Sequence, residues 1–174
     1  MPGYERYEKT VDIKEYVANC VDVDTFIKLC QECTNYGVRW SCPPYDFSPV
    51  DLWNSYSKFR VIGYKFFTDS ELSIEENIQK FMKLKDDMYI EMMELEKEIP
   101  GSMMLAAGNC SICKECSKGC GEPCRFPEKM RYSIESLGGN VGKTAKDYLD
   151  LKIKWIKDGQ MPDYLLRVGG LLLK

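Results

Sequence analysis

The pattern of apolar and polar positions divides the chain into segments of different period. Phe59 to Phe67 (FRVIGYKFF) is rich in β-branched and aromatic residues and reads as a buried strand. From Ile74 the period changes. Ile74, Ile78, Phe81, Met88, Met92, Leu95 and Ile99 are spaced for one face of a long helix. Ser73 and Glu76 have capping-box spacing at its start, and Pro100-Gly101 stops it. Ser102 to Ala107 is small and apolar and reads as a second strand. Strand, long helix and strand form a βαβ unit, which predicts parallel strands with a right-handed crossover. Cys110 then falls just past the carboxyl end of the second strand, the edge where open α/β sheets place ligands.

The remaining segments fill in around this unit. Asp22 to about Cys33 reads as a first helix, capped by Asp22 or Asp24, with Val23, Phe26, Ile27 and Cys30 on one face and Gly37 just beyond it. Val38 to Pro44 cannot be helical, because two prolines force an extended path. Ser48-Pro49 with Asp51 opens a short helix through Tyr56. Pro127 to Leu137 looks helical, ended by Gly138-Gly139, and Val141 to Leu149 forms a short helix. Lys152 to Lys157 and Tyr164 to Leu173 read as strands, with a turn at Asp158-Gly159. The expected fold class is α/β or α+β: a small mixed sheet with a βαβ unit and a long helix, plus a cysteine-rich loop region. One domain is expected over residues 1–174, with cysteine-rich segments at 30–44 and 108–127.

Composition narrows the function classes. The net charge is -3, from 24 basic and 27 acidic side chains, so nucleic-acid binding has no electrostatic basis. Met1-Pro2-Gly3-Tyr4-Glu5-Arg6 shows no basic segment followed by an apolar one, and no stretch is long enough to cross a bilayer. A cytoplasmic protein with no membrane partner is expected. There are nine cysteines and no histidine. An odd cysteine count without an export signal argues against a disulfide scaffold. Without histidine there is no Ser-His-Asp triad, no Cys-His pair and no histidine-ligated metal.

Eight of the nine cysteines fall into two groups. The second group is Cys110, Cys113, Cys116, Cys120 and Cys124. Its C-x2-C-x2-C opening lets a loop curl around a cubane and present each sulfur to a different iron, as in bacterial ferredoxin loops. Cys120 has the C-x3-C spacing of such a run, but Gly121 stands where proline would follow. A single zinc ion usually takes two cysteines from each of two knuckles and has no use for the third. The first group is Cys30, Cys33 and the Cys42-Pro43-Pro44 run. Two partitions are open: Cys42 joins Cys110, Cys113 and Cys116, or Cys124 completes that set and leaves Cys30, Cys33 and Cys42 for a second site. Cys20 reads as a small buried hydrophobe. Gly138 to Thr144 lacks phosphate-loop spacing and reads as a helix-breaking turn. Tyr36 and Trp40 are placed to shield a cluster or simply to pack, and Arg125 to pair with a cluster's charge, with a substrate carboxylate or in a surface ion pair.

Three stretches carry a resemblance. They are Cys30-x2-Cys33-x2-Tyr36-Gly37-x2-Trp40-Ser41-Cys42-Pro43-Pro44, Gly108-x-Cys110-x2-Cys113-x2-Cys116-x7-Cys124-Arg125-x-Pro127, and Ser133-Ile134-Glu135-Ser136-Leu137-Gly138 followed by Val141. In these the chain resembles a cysteine-rich family of predicted metal-binding proteins, the domain of unknown function 2284. The resemblance implies Cys30, Cys33, Cys42, Cys110, Cys113, Cys116 and Cys124 as ligands, with Cys20 and Cys120 off the pattern. Seven cysteines do not fill two four-cysteine clusters, so one site keeps an open or non-cysteine position, or recruits Cys20 or Cys120. The family's acidic-alanine-glycine turn is Glu135-Ser136-Leu137-Gly138 here, a departure that touches no ligand.

The expected function is an iron–sulfur protein, with one or two clusters of the [4Fe-4S] kind, in electron transfer or as a redox accessory subunit. It would have a redox protein partner, and an oligomer is compatible with the sequence. The alternatives are a small redox enzyme with an open iron site, and a zinc-stabilised module without redox activity. An electron carrier is favoured over a catalyst.

Overall fold

The computed structural model describes residues 3–174; Met1 and Pro2, which begin the segment read for an export signal, lie outside the described residues. The elements run β1 (Tyr4–Asp12), α1 (Ile13–Cys20), α2 (Val23–Gln31), α3 (Pro49–Asn54), β2 (Lys58–Phe67), α4 (Ile74–Glu98), β3 (Met103–Leu105), α5 (Val141–Leu149) and β4 (Tyr164–Leu173). The fold is mixed α and β, built on a four-stranded antiparallel sheet of order β1-β2-β4-β3.

Alternation along β2 and β4 explains why the sheet is covered on both faces. Phe59 and Val61 of β2 join Leu166, Val168 and Leu172 of β4 in one core, which also holds Tyr16, Trp53, Ala145 and Tyr148 of the helices α1, α3 and α5. Ile62, Tyr64 and Phe66 join Leu165 and Leu171 in the other, beneath Leu84, Met88 and Met92 of α4. Successive side chains of a strand point to opposite faces, so a strand covered twice must be apolar throughout. Near the centre the strands come very close to their neighbours. A Cβ on Gly170 would stand 2.2 Å from the Arg60 carbonyl oxygen.

Helix ends follow their capping residues. Asp12, Asp22, Ser48 and Asn140 each accept a main-chain N–H at the start of α1, α2, α3 and α5. Ser73 and Glu76 form the reciprocal capping box of α4. The Gly138 to Thr144 stretch is a turn only as far as Asn140, with Gly138 at φ +82°; Asn140 caps α5 and Val141 to Thr144 form its first turn.

Three expectations need correction. First, β2 and β3 run in the same direction but do not pair, because β4 lies between them and is antiparallel to both. The apolar run of β4 is buried on both faces and takes an inner place, splitting the expected parallel βαβ pair. Second, Pro127 to Leu137 is not a helix. Only a 3-10 turn forms, at Glu135–Leu137. The Ser133 and Ser136 hydroxyls accept each other's main-chain N–H, which offers that backbone an alternative to the helix. Tyr132 accepts the Ala106 N–H and so extends the β3 edge. Third, Lys152 to Lys157 is not a strand, since both edges of β4 are already paired, to β2 and β3. The Asp158-Gly159 turn is present, closed by Lys157 and Gln160. The edge strand β1 and the helix α1 add to the expected elements; charged residues dominate β1 and hide its period.

Candidate metal centre

Two loop systems meet beyond the C-terminal end of β3. The first begins at the last turn of α2, where Cys30 lies inside the helix and the Cys33 N–H donates to the Cys30 carbonyl. The chain then turns tightly: Tyr36 donates to Cys33, Gly37 to Pro43 and Cys42 to Arg39. Gly37 has φ +73°, a conformation that favours glycine. The second system leaves β3 through Ala106, Ala107 and Gly108 and reaches Cys110. Within 111–116, among the described residues, no main-chain N–H donates to another main-chain group. Its end is pinned by Ser117, whose hydroxyl donates to the Pro123 carbonyl at 2.7 Å.

The cysteines sort into two cavities. Cys110, Cys113, Cys116 and Cys124 line one, with Arg39, Trp40, Ser41, Ile112 and Phe126 around them. Cys30, Cys33 and Cys42 line the other, with Asn35, Tyr36, Glu135 and Ser136. Cys124 thus lies with the Cys110 loop, and Cys42 with Cys30 and Cys33. Cys120 lines neither cavity and is exposed, and Cys20 is buried in the core. Among the described residues, no three Cys, Asp or Glu side chains are gathered closely enough to hold a single metal ion. The four-cysteine cavity is narrow, about 20 Å³, which is room for little more than one water. The three-cysteine cavity is about 200 Å³. Seating a multi-atom core among the four cysteines requires the irregular 111–116 loop to give way.

Donor chemistry nevertheless suits thiolate-bound metal in both. Three of the seven sulfurs are within hydrogen-bond reach of a donor. Asn35 offers its main-chain N–H to Cys33 Sγ at 3.5 Å and its Nδ2 at 3.7 Å. The Trp40 N–H meets Cys116 Sγ at 3.5 Å. The Ser41 hydroxyl lies 3.7 Å from Cys42 Sγ. Burial pushes the Cys30, Cys42 and Cys110 thiols up, and at Cys42 the Ser41 hydroxyl, Arg39 and Lys118 oppose the shift. Cations stand close by: the Arg39 guanidinium donates to the Cys110 carbonyl at 3.1 Å, and Lys118 Nζ to the Cys42 and Pro44 carbonyls. The buried Lys85 donates to the Asn109 carbonyl at 2.9 Å; burial and the charge of Arg167 push its ammonium down.

Several of these residues escaped the sequence reading. Ser41 is one. Its buried hydroxyl accepts the Cys110 N–H at 3.2 Å and also faces Cys42, so one side chain joins the two cysteine groups. Glu135 is another. It lies in one of the three stretches that carry the resemblance, where its position in a loop marks no role. Trp40 and Tyr36 each line a cavity, whereas Arg125 is exposed and donates to the Glu115 carbonyl.

No helix among the described residues is long and apolar enough to cross a membrane. A family model described as a predicted metal-binding protein matches residues 16–173. No curated protein and no solved structure matches the chain.

Proposed function

Since the chain belongs to the predicted metal-binding protein family DUF2284, we propose that it is an iron–sulfur protein with two separate sites, acting in electron transfer or as a redox accessory subunit. The observation that carries this reading is the sorting of seven cysteines into a set of four and a set of three, each lining its own cavity. In the four-cysteine set, the three cysteines of the C-x2-C-x2-C loop and the remote Cys124 would each hold one corner of a [4Fe-4S] core. Cys30, Cys33 and Cys42 would hold a second metal group.

The group itself would supply one-electron transfer. The chain's own residues set the conditions for it. Donors at Cys33, Cys42 and Cys116 would stabilise charge on sulfur, and hydrogen bonds to cluster sulfur are one determinant of potential. Arg39, Lys85 and Lys118 balance negative charge. Trp40, Ile112 and Phe126 keep water from the four-cysteine cavity. A redox protein partner would meet the exposed cysteine-rich loops.

The test is purification without oxygen, followed by the visible spectrum and the iron, sulfide and zinc contents. Brown protein with matched iron and sulfide is expected. Colourless protein with stoichiometric zinc would turn the reading to a metal-stabilised module.

A further inference from the structure

The three-cysteine cavity has one thiolate fewer than a four-iron core takes, and a carboxylate stands in it. Glu135 lines the cavity beside Cys30, Cys33 and Cys42. Its position is fixed from both sides. The 3-10 turn it opens is closed by Gly138, whose carbonyl accepts the Asp22 N–H at 2.8 Å where α2 begins. A Cβ on Gly138 would stand 2.7 Å from Val23 Cα, so the turn lies directly on the helix that carries Cys30. On the other side, Ala106 bridges to Ser133, which brings the turn alongside the chain leading to Cys110.

The carboxyl group lacks a full set of partners: the cation whose charge acts on it is Arg167, whose own Nε is also buried without a hydrogen-bond partner. Its Oε2 is shut off from water and has no hydrogen-bond partner. The residue as a whole keeps some exposure, through the cavities it lines. Burial pushes its carboxyl up, opposed in part by its own main-chain N–H, the Ser133 hydroxyl and the charge of Arg167. An unpaired buried carboxyl oxygen is costly unless something binds it.

We infer that Glu135 supplies the fourth protein ligand, a carboxylate oxygen, to the metal group held by Cys30, Cys33 and Cys42. The inference rests on the iron–sulfur reading of that cavity. A Glu135 carboxylate oxygen would share a lone pair with iron there. Oxygen is a harder donor than thiolate and suits soft iron–sulfide surroundings less well. The Glu135 corner is therefore the exchangeable one, and an added thiol or cyanide should bind iron there first.

The experiment uses the full chain loaded without oxygen with ferric iron, sulfide and a thiol reductant, as wild type, Glu135→Gln, Glu135→Ala and Glu135→Cys. Iron content and electron paramagnetic resonance follow each site, the latter on dithionite-reduced protein for four-iron cores and on oxidised protein for a three-iron core. With Glu135 carboxyl-labelled with carbon-13, wild type should show a hyperfine coupling from that carbon. Glu135→Gln and Glu135→Ala should lose one iron from this site and give the resonance of a three-iron core. The four-cysteine resonance should be unchanged. Glu135→Cys should keep the full iron content with a shifted resonance. Unchanged iron content and resonance in all three variants, with no carbon coupling, would overturn the assignment. If Glu135→Ala fails to fold by circular dichroism, Glu135→Cys and the carbon coupling decide. Wild type that takes up no iron and sulfide would instead defeat the iron–sulfur reading itself.

Discussion

Replacing Ser41 by alanine removes one hydroxyl that serves both cysteine groups. In the native chain the Cys110 N–H donates to Ser41 Oγ at 3.2 Å, and the same hydroxyl lies 3.7 Å from Cys42 Sγ. Ser41 is 1% exposed, so water does not replace the lost oxygen without rearrangement. A buried donor left without a partner costs about 1–3 kcal/mol. Cys110 is only partly buried, which puts the expected loss in the lower half, about 1–2 kcal/mol. With a urea slope of about 2 kcal/mol/M, the unfolding midpoint should fall by about 0.5–1 M. A second effect is separable from the first. A hydrogen bond to a ligand sulfur favours the more negative, reduced state. Its loss at Cys42 should lower the potential of the three-cysteine site, by up to about 60 mV if the bond is worth a factor of ten between the two states. The assay is anoxic urea unfolding followed by tyrosine fluorescence, paired with a redox titration of each resonance. A midpoint and both potentials indistinguishable from wild type would refute the role given to Ser41.

Cys120→Ser should leave iron, sulfide and visible spectrum unchanged, because Cys120 lines neither cavity; loss of colour would reassign it as a ligand. Cys20→Ala should also keep its iron while losing about 1 kcal/mol of stability, since it removes only a small buried group from the core, as a thermal melt would read. Gly170→Ala places a methyl 2.2 Å from a main-chain oxygen of β2 and should cost about 3 kcal/mol or more, since backbone rather than a flexible side chain must move; a melting temperature within a degree of wild type would contradict the central register. In alkali, burial holds the Tyr16, Tyr45 and Tyr64 phenols protonated well above their ordinary range, and pushes Tyr89 up to about 12. A folded pKa above the unfolded one gives stability that is intact below the unfolded value of 10.0 and is lost as pH rises through the folded value. Absorbance at high pH should therefore show a late tyrosine group that ionises together with unfolding, between about pH 10 and 12.

Much of the frame was legible because it rests on local chemistry. The β2 and β4 runs, the capping box at Ser73 and the caps at Asp22 and Ser48 all act within a few residues of themselves. What was not legible depends on contacts between distant residues. Nothing local says that β4 enters between β2 and β3. The Pro127–Leu137 stretch has helical spacing, but the mutual Ser133–Ser136 bonds and the pairing of Tyr132 with Ala106 draw it away. At the site, cysteine spacing marked the ligand candidates but could not divide them. The division depends on where segment 39–42 lies, with Trp40 and Ser41 on one cavity and Cys42 on the other. Glu135 was hidden for the same reason: its solvation is a property of the folded turn against α2, and an acidic residue in a loop carries no such mark in the sequence.

Anomalous scattering from crystals grown and kept without oxygen, recorded on both sides of the iron absorption edge, would locate every iron in the chain. Two separate peaks are expected, one within reach of Cys110, Cys113, Cys116 and Cys124, the other within reach of Cys30, Cys33 and Cys42. A single peak shared by Cys42 and the Cys110 loop, or a signal at the zinc edge alone, would contradict the two-site iron–sulfur assignment.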